Sequence, residues 1–198
     1  EDGPMFVWVH LFDAHWPYAP PEPWASEYVE DPYLGEIVYA AEQVEKLLDW
    51  WDLRFPDSIV VVTSDHGEGF GEGGEKTHGF LLHDGTIRIP LILWGTGVPK
   101  GKEVEYPVGL IDIAPTVLEL AGLKVHSEVE GTNLLEEREN APVYSESLVA
   151  QRKLGLHPLH ARSDEDGRFV KGQYDSFYPY DSDGVSTTAT ESDRLMSM

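Results

Sequence analysis

In the stretch Ile59-Val60-Val61-Val62-Thr63-Ser64-Asp65-His66-Gly67-Glu68, a run of β-branched residues stops abruptly at a carboxylate and an imidazole. Such a run is typical of a strand that is buried on both faces of a parallel sheet. Ligand sites in open α/β sheets lie beyond the carboxyl ends of these strands. We therefore expect Asp65 and His66 to project from a strand end into a functional site, ahead of a glycine-rich loop that leads to His78.

A second run of this kind lies near the beginning of the sequence. Residues 6–12 are mostly apolar and are followed by Asp13 and His15, and several prolines then prevent the strand from continuing. Between the two runs, apolar residues recur at helical spacing from Leu34 to Trp51, which predicts an amphipathic helix of about five turns. This strand-helix-strand order predicts a βαβ unit with parallel strands.

Later segments predict smaller elements. They are a strand over 88–94, a helix over 112–120 with Pro115 in its first turn, a strand over 143–147, and a hairpin formed by 161–163 and 168–171. The fold class is therefore α/β, with a mostly parallel sheet flanked by helices and a small C-terminal hairpin region. We divide the chain into an α/β domain over 1–147, a small β region over 148–180, and a disordered polar tail over 181–198.

The motifs, taken in order, resemble the sulfatase family of the alkaline phosphatase superfamily over about residues 5–147. The matching pieces are His10-Leu11-Phe12-Asp13-Ala14-His15, Thr63-Ser64-Asp65-His66-Gly67-Glu68, Thr77-His78-Gly79, Ile87-Arg88-Ile89-Pro90, Leu110-Ile111-Asp112-Ile113-Ala114-Pro115-Thr116 and Glu130-Gly131-Thr132-Asn133. The resemblance implies a partial alkaline phosphatase-like fold. It also implies that the parent enzyme hydrolyses sulfate monoesters with a metal-assisted covalent nucleophile.

The resemblance also implies roles for four residues. Asp65 and His66 are the expected metal ligands, and His15 is expected to assist the departing alcohol as a proton donor. His78 is expected to bind the sulfuryl oxygens, with Lys76 as the alternative. The family implies calcium, whereas an oxygen and nitrogen donor pair also permits magnesium, manganese or zinc. No other cofactor is expected.

The nucleophile region of the family has no counterpart in this sequence. There is no cysteine, no Ser-x-Pro-x-Arg segment and no adjacent pair of aspartates. The chain thus resembles the second half of a sulfatase, and we expect a missing N-terminal half and no activity from this chain alone. Two alternatives stay open: a relative of the phosphodiesterases, phosphonate hydrolases or phosphoglycerol transferases, and a catalytically inactive fragment.

The charge of the chain restricts its partners. Its 36 acidic and 14 basic residues give a net charge of -22, which disfavours nucleic acid and anionic membranes by repulsion. No apolar run has the length of a membrane span. We expect a soluble protein, cytoplasmic or secreted, whose partner is a small-molecule or glycan sulfate ester. The acidic residues are spread along the chain, which favours a halophilic source over an acidic interaction tail.

If this acidity is an adaptation to salt, screening of the self-repulsion should stabilise the fold. We expect the unfolding midpoint to rise as KCl is raised from low to molar concentration. Thermal scans followed by circular dichroism measure it. A midpoint that stays constant or falls over this range would contradict the halophilic interpretation.

Overall fold

The computed structural model describes residues 3–136 and 141–181, which form two compact units that divide between Ser58 and Ile59. The predicted disordered tail lies outside the described residues, except for Asp181. The predicted domain boundaries at residues 147 and 180 stay predictions. No helix in the described parts of the chain has the length and hydropathy that crossing a bilayer requires.

The first unit is built on two helices, α1 (Trp24–Glu27) and α2 (Pro32–Arg54). The side chain of Asp31 caps α2 by accepting the N–H of Leu34 at 3.0 Å, and proline occupies the first turn, where its missing N–H costs little. The helix predicted over 34–51 is confirmed.

Residues 6–12, in contrast, do not form the predicted strand. They have no regular secondary structure, and Phe6 and Trp8 are 78% and 77% exposed. A strand has to pair its backbone N–H and C=O groups, and the described residues of this unit supply no other strand for it. The predicted βαβ unit is therefore wrong.

The second unit begins with β1 (Ile59–Thr63), which confirms the strand predicted from the apolar run. It pairs antiparallel with β2 (Leu91–Gly95). Every strand pair in the described residues is antiparallel, so the mostly parallel sheet is not confirmed. A parallel pair needs a long crossover, usually a full helix. The connection from β1 to β2 instead contains a long loop and the single-turn helix α3 (Asp84–Ile87).

A second sheet is formed by β3 (Val143–Ser147), β4 (Leu159–Asp164), β5 (Gly167–Lys171) and β6 (Ser176–Pro179), paired in that order. The helix α5 (Val149–Leu154) connects β3 to β4. The β4–β5 pair is the predicted hairpin. One face of this sheet buries Ala161 and Val170 against Leu82, which belongs to the loop before α3. The small apolar core of the unit thus joins this sheet to the loop that follows β1.

The helix α4 (Ile113–Leu120) confirms the predicted helix and is anchored by buried polar groups. Thr116 is fully buried; its hydroxyl donates to the carbonyl of Asp112 at 2.6 Å and accepts the N–H of Leu134 at 2.9 Å. The buried carboxylate of Asp112 accepts the N–H groups of Gly109 and Thr132 at 3.0 and 2.8 Å. These bonds fasten the loop after α4 to the helix.

Replacing Thr116 by valine keeps the side-chain shape but leaves the buried N–H of Leu134 without its acceptor. We expect Thr116→Val to lower the free energy of unfolding by about 1–3 kcal/mol, measured by urea denaturation. Thr116→Ser, which retains the hydroxyl, is the matched control and should cost less. A loss for valine no larger than the loss for serine would show that these hydrogen bonds contribute little.

Candidate active site

Asp65 and His66 follow the end of β1 after one intervening residue, Ser64, close to the position that the sequence predicted. The Asp65 carboxylate accepts the His66 N–H through Oδ1 at 3.0 Å, which leaves Oδ2 on the side of the imidazole. His66 Nδ1 is 2.8 Å from the carbonyl oxygen of Gly67. Since a carbonyl only accepts, Nδ1 carries the proton and Nε2 keeps its lone pair in the neutral ring. Oδ2 and Nε2 are 3.8 Å apart, and both side chains are exposed.

His78 is brought next to this pair by the glycine-rich loop. Its ring stacks on the ring of His66, with centroids 3.9 Å apart and planes inclined by 29°. Its Nδ1 lies 3.0 Å from Oε1 of Glu68, whose side chain is only 5% exposed. A carboxylate in this position fixes the tautomer and the orientation of an imidazole. Of the four predicted site residues, the structure thus brings Asp65, His66 and His78 together.

The loop between the histidines is held by a second buried carboxylate. Glu75 accepts the N–H groups of Phe80 and Leu81 at 2.7 and 2.9 Å, and its Oε2 lies 3.5 Å from Nε2 of His83. At the exposed tip, the N–H of Phe70 donates to Glu72 at 2.6 Å and lowers the pKa of the Glu72 carboxyl. The alternative ligand Lys76 is exposed on this loop.

The backbone of α3 lies in close contact with the backbone of Gly67, which follows β1. The N–H of Gly67 donates to the carbonyl of Thr86 at 2.9 Å. A Cβ at position 67 would lie 2.1 Å from the carbonyl oxygen of Gly85. Only glycine fits at this position without displacing α3.

His15 belongs to the first compact unit. Its Nδ1 lies 2.7 Å from the carbonyl oxygen of Trp16, and its ring stacks on Phe12 with centroids 4.4 Å apart. Its predicted role in leaving-group assistance, and its predicted proximity to Asp65, stay predictions.

Two buried carboxylates near the site were not predicted from the sequence, namely Glu68 and Glu75. Glu68 directly follows the Asp65-His66-Gly67 motif, so its position was a usable signal. Its partner His78, however, is ten residues away across a loop without periodicity. Glu75 carried no signal, because an acidic residue among glycines is usually solvated.

The donor set at the strand end suits a divalent cation. Carboxylate oxygen and imidazole nitrogen are both common ligands, and a separation of 3.8 Å allows Oδ2 and Nε2 to approach one ion after a small adjustment. In residues 3–136 and 141–181, no group of three or more His, Cys, Asp or Glu side chains is arranged to hold a metal. Asp65 and His66 are therefore two potential ligands, and the described residues place no third His, Cys, Asp or Glu side chain with them.

Sequence comparison identifies relatives of the chain. The family model for sulfatases matches residues 1–123. Arylsulfatase K of Canis lupus familiaris is 33% identical over 138 residues, which is 69% of this chain and 23% of the relative. The chain therefore spans about a quarter of the length of this relative.

Solved structures share the α/β fold of this chain. The phosphonate monoester hydrolase of Silicibacter pomeroyi has a TM-score of 0.63 at 20% identity, covering 79% of this chain and 35% of that one. A protein solved with its substrate D-glucosamine-2-N,6-O-disulfate has a TM-score of 0.57 at 23% identity, with coverages of 79% and 35%. The chain belongs to the sulfatase family, and the resemblance inferred from the motifs is confirmed.

The close contact between Gly67 and Gly85 predicts that position 67 does not accept a side chain. We expect Gly67→Ala to force α3 away from the strand end and to lower the free energy of unfolding by about 1–3 kcal/mol, as overpacking does. Gly3→Ala is the control, because a Cβ there meets nothing within 4 Å. Urea denaturation of both variants measures the effect. Equal stabilities for the two variants would mean that α3 can move away at no cost.

Proposed function

We propose that this chain forms the metal-ligand and ester-binding part of a sulfate monoester hydrolase. The observation that carries the proposal is the cluster at the end of β1, where Asp65 and His66 present an oxygen and a nitrogen 3.8 Å apart and His78 stacks on His66. Membership of the sulfatase family supports it.

In this proposal Asp65 and His66 hold a divalent metal through Oδ2 and Nε2. The metal, when bound, supplies positive charge that offsets the charge of the ester oxygens. Calcium is the ion that the family resemblance implies, and the donor atoms alone also accept magnesium, manganese or zinc. Further ligands come from other parts of the parent protein, together with the nucleophile.

His78 has the geometry for binding an anionic ester. The Glu68 carboxylate accepts a hydrogen bond from Nδ1–H of His78, so that Nε2 faces away from the carboxylate and can contact an ester oxygen. For His15, in the first unit, we propose separately the role that the family resemblance implies, donation of a proton to the departing alcohol.

The substrate class follows from the same chemistry. A structural neighbour was solved with a disulfated glucosamine as its substrate, and we propose a sulfated small molecule or glycan for this chain. A phosphate or phosphonate ester is the second candidate, since a structural neighbour is a phosphonate monoester hydrolase and the same donor pair suits both esters.

Metal binding and turnover test the proposal together. Titrate the 198-residue chain with Ca²⁺ and Mn²⁺ by calorimetry; we expect Asp65→Asn to weaken binding by at least about tenfold. Asp57→Asn, which changes an exposed aspartate that precedes β1 in sequence, should bind as the wild type does. Without the nucleophile, aryl sulfate, phosphate and phosphonate esters should not turn over.

Two results would contradict this scheme. Equal affinities for Asp65→Asn and Asp57→Asn would remove the metal assignment. Metal-dependent turnover by this chain that Asp65→Ala abolishes would show that the nucleophile is already present, and the ester cleaved fastest would then decide between sulfate and phosphoryl transfer.

A further inference from the structure

A buried charge pair joins the four-stranded sheet to α3. The guanidinium of Arg168, on β5, donates from Nη1 to Oδ1 of Asp84, the first residue of α3 and 84 positions away in sequence. Arg168 is 2% exposed, and its Cζ lies 5.4 Å from the centre of the Tyr178 ring. A charge buried to this extent needs its partner, so the pair fixes α3 against the sheet.

From α3 the contacts continue to the backbone beside His66. Thr86 is buried, and its carbonyl accepts the N–H of Gly67 at 2.9 Å. The carbonyl of Gly67 in turn accepts Nδ1–H of His66. The orientation of the His66 ring therefore depends on a backbone segment whose position is set by α3, and through Asp84 by Arg168.

The same sheet reaches the second histidine by a separate contact. Ser147, at the end of β3, is buried, and its hydroxyl donates to the carbonyl of Gly79, the residue after His78. The two stacked imidazoles are thus each followed by a glycine whose backbone is tied to the sheet, one through Arg168 and α3 and the other through Ser147.

We propose that Arg168 and Ser147 are positioning residues that set the stacking of His66 on His78 from the four-stranded sheet. The proposal rests on the proposed function for its significance, because the two rings are the groups that function assigns to metal and ester. Its geometry is independent of that function. The sheet supports both rings through these two contacts, in addition to the hydrogen bonds within the glycine-rich loop.

The test measures the surroundings of the two imidazole rings directly, in the 198-residue chain without added metal. Record the imidazole carbon and proton resonances of His66 and His78 by NMR, and the hydrogen exchange of the Gly67 amide, in Arg168→Met, Arg168→Lys and Ser147→Ala. Arg162→Met is the matched control, since Arg162 lies on the neighbouring strand β4 but is exposed and pairs with Asp164 at 3.7 Å.

We expect Arg168→Met to shift the His66 resonances and to speed Gly67 exchange by about tenfold or more, the loss expected for a hydrogen bond to a charged group. Arg168→Lys, which retains a donor for Asp84, should restore most of both effects. Ser147→Ala should shift His78 more than His66. Arg162→Met should change neither ring.

Ring resonances and Gly67 exchange that stay at wild-type values in Arg168→Met would overturn the proposal. So would equal shifts along the whole chain without rescue by lysine, because these indicate general loosening. If Arg168→Met does not fold, Ser147→Ala decides: an unchanged His78 resonance overturns the proposal. Failure of the proposed function appears elsewhere, as a metal affinity that does not respond to Asp65→Asn.

Discussion

The close backbone contact between Gly67 and α3 is the constraint on which the candidate site depends. The chain leaves β1 through a position that has no room for a side chain and donates its N–H to Thr86. Because the residue after His66 is fixed in this way, the direction in which Asp65 and His66 leave the strand is also fixed. Main-chain geometry therefore sets the direction of the Asp65 and His66 side chains, and contacts with the loop side chains adjust their final positions.

Acidic residues have two distinct roles in this chain. Most of the 36 lie on the surface and add to the net charge of -22. Four are buried instead: Glu36 accepts the N–H of Ala19, and three others, Glu68, Glu75 and Asp112, each accept hydrogen bonds from an imidazole or from backbone N–H groups. A buried carboxylate is stable only when it is satisfied in this way. These three residues act as connectors between loops, and replacing one would leave buried donors unpaired.

Local patterns account for the parts of the fold that the sequence predicted. The periodicity of α2 and the turn between β4 and β5 are encoded by neighbouring residues, and both elements form. Strand pairing depends on partners that are distant in sequence, which is why the direction of the β1–β2 pair and the state of residues 6–12 were not predictable. An apolar run indicates that a segment is buried, but it does not indicate which strand pairs with that segment.

The residues of the candidate site also divide into those that local sequence patterns indicate and those that depend on long-range packing. Asp65, His66 and His78 were indicated because they stand at a strand end and in a recognisable motif. Arg168 and Asp84 are 84 positions apart, and each is a common residue in an ordinary local context. Their pairing is a property of the packed sheet, so no local pattern could have revealed it.

The exposed apolar segment 6–12 affects whether molecules of this chain associate with one another in solution. Apolar surface that favours association is exposed at Phe6, Trp8 and Phe12. The net charge of -22 opposes association by electrostatic repulsion between molecules. Added salt shortens the range of that repulsion to a few ångströms at about 1 M and strengthens apolar attraction when the anion is kosmotropic. If salt stabilises the fold, as the halophilic interpretation expects, the same salt also favours association between molecules.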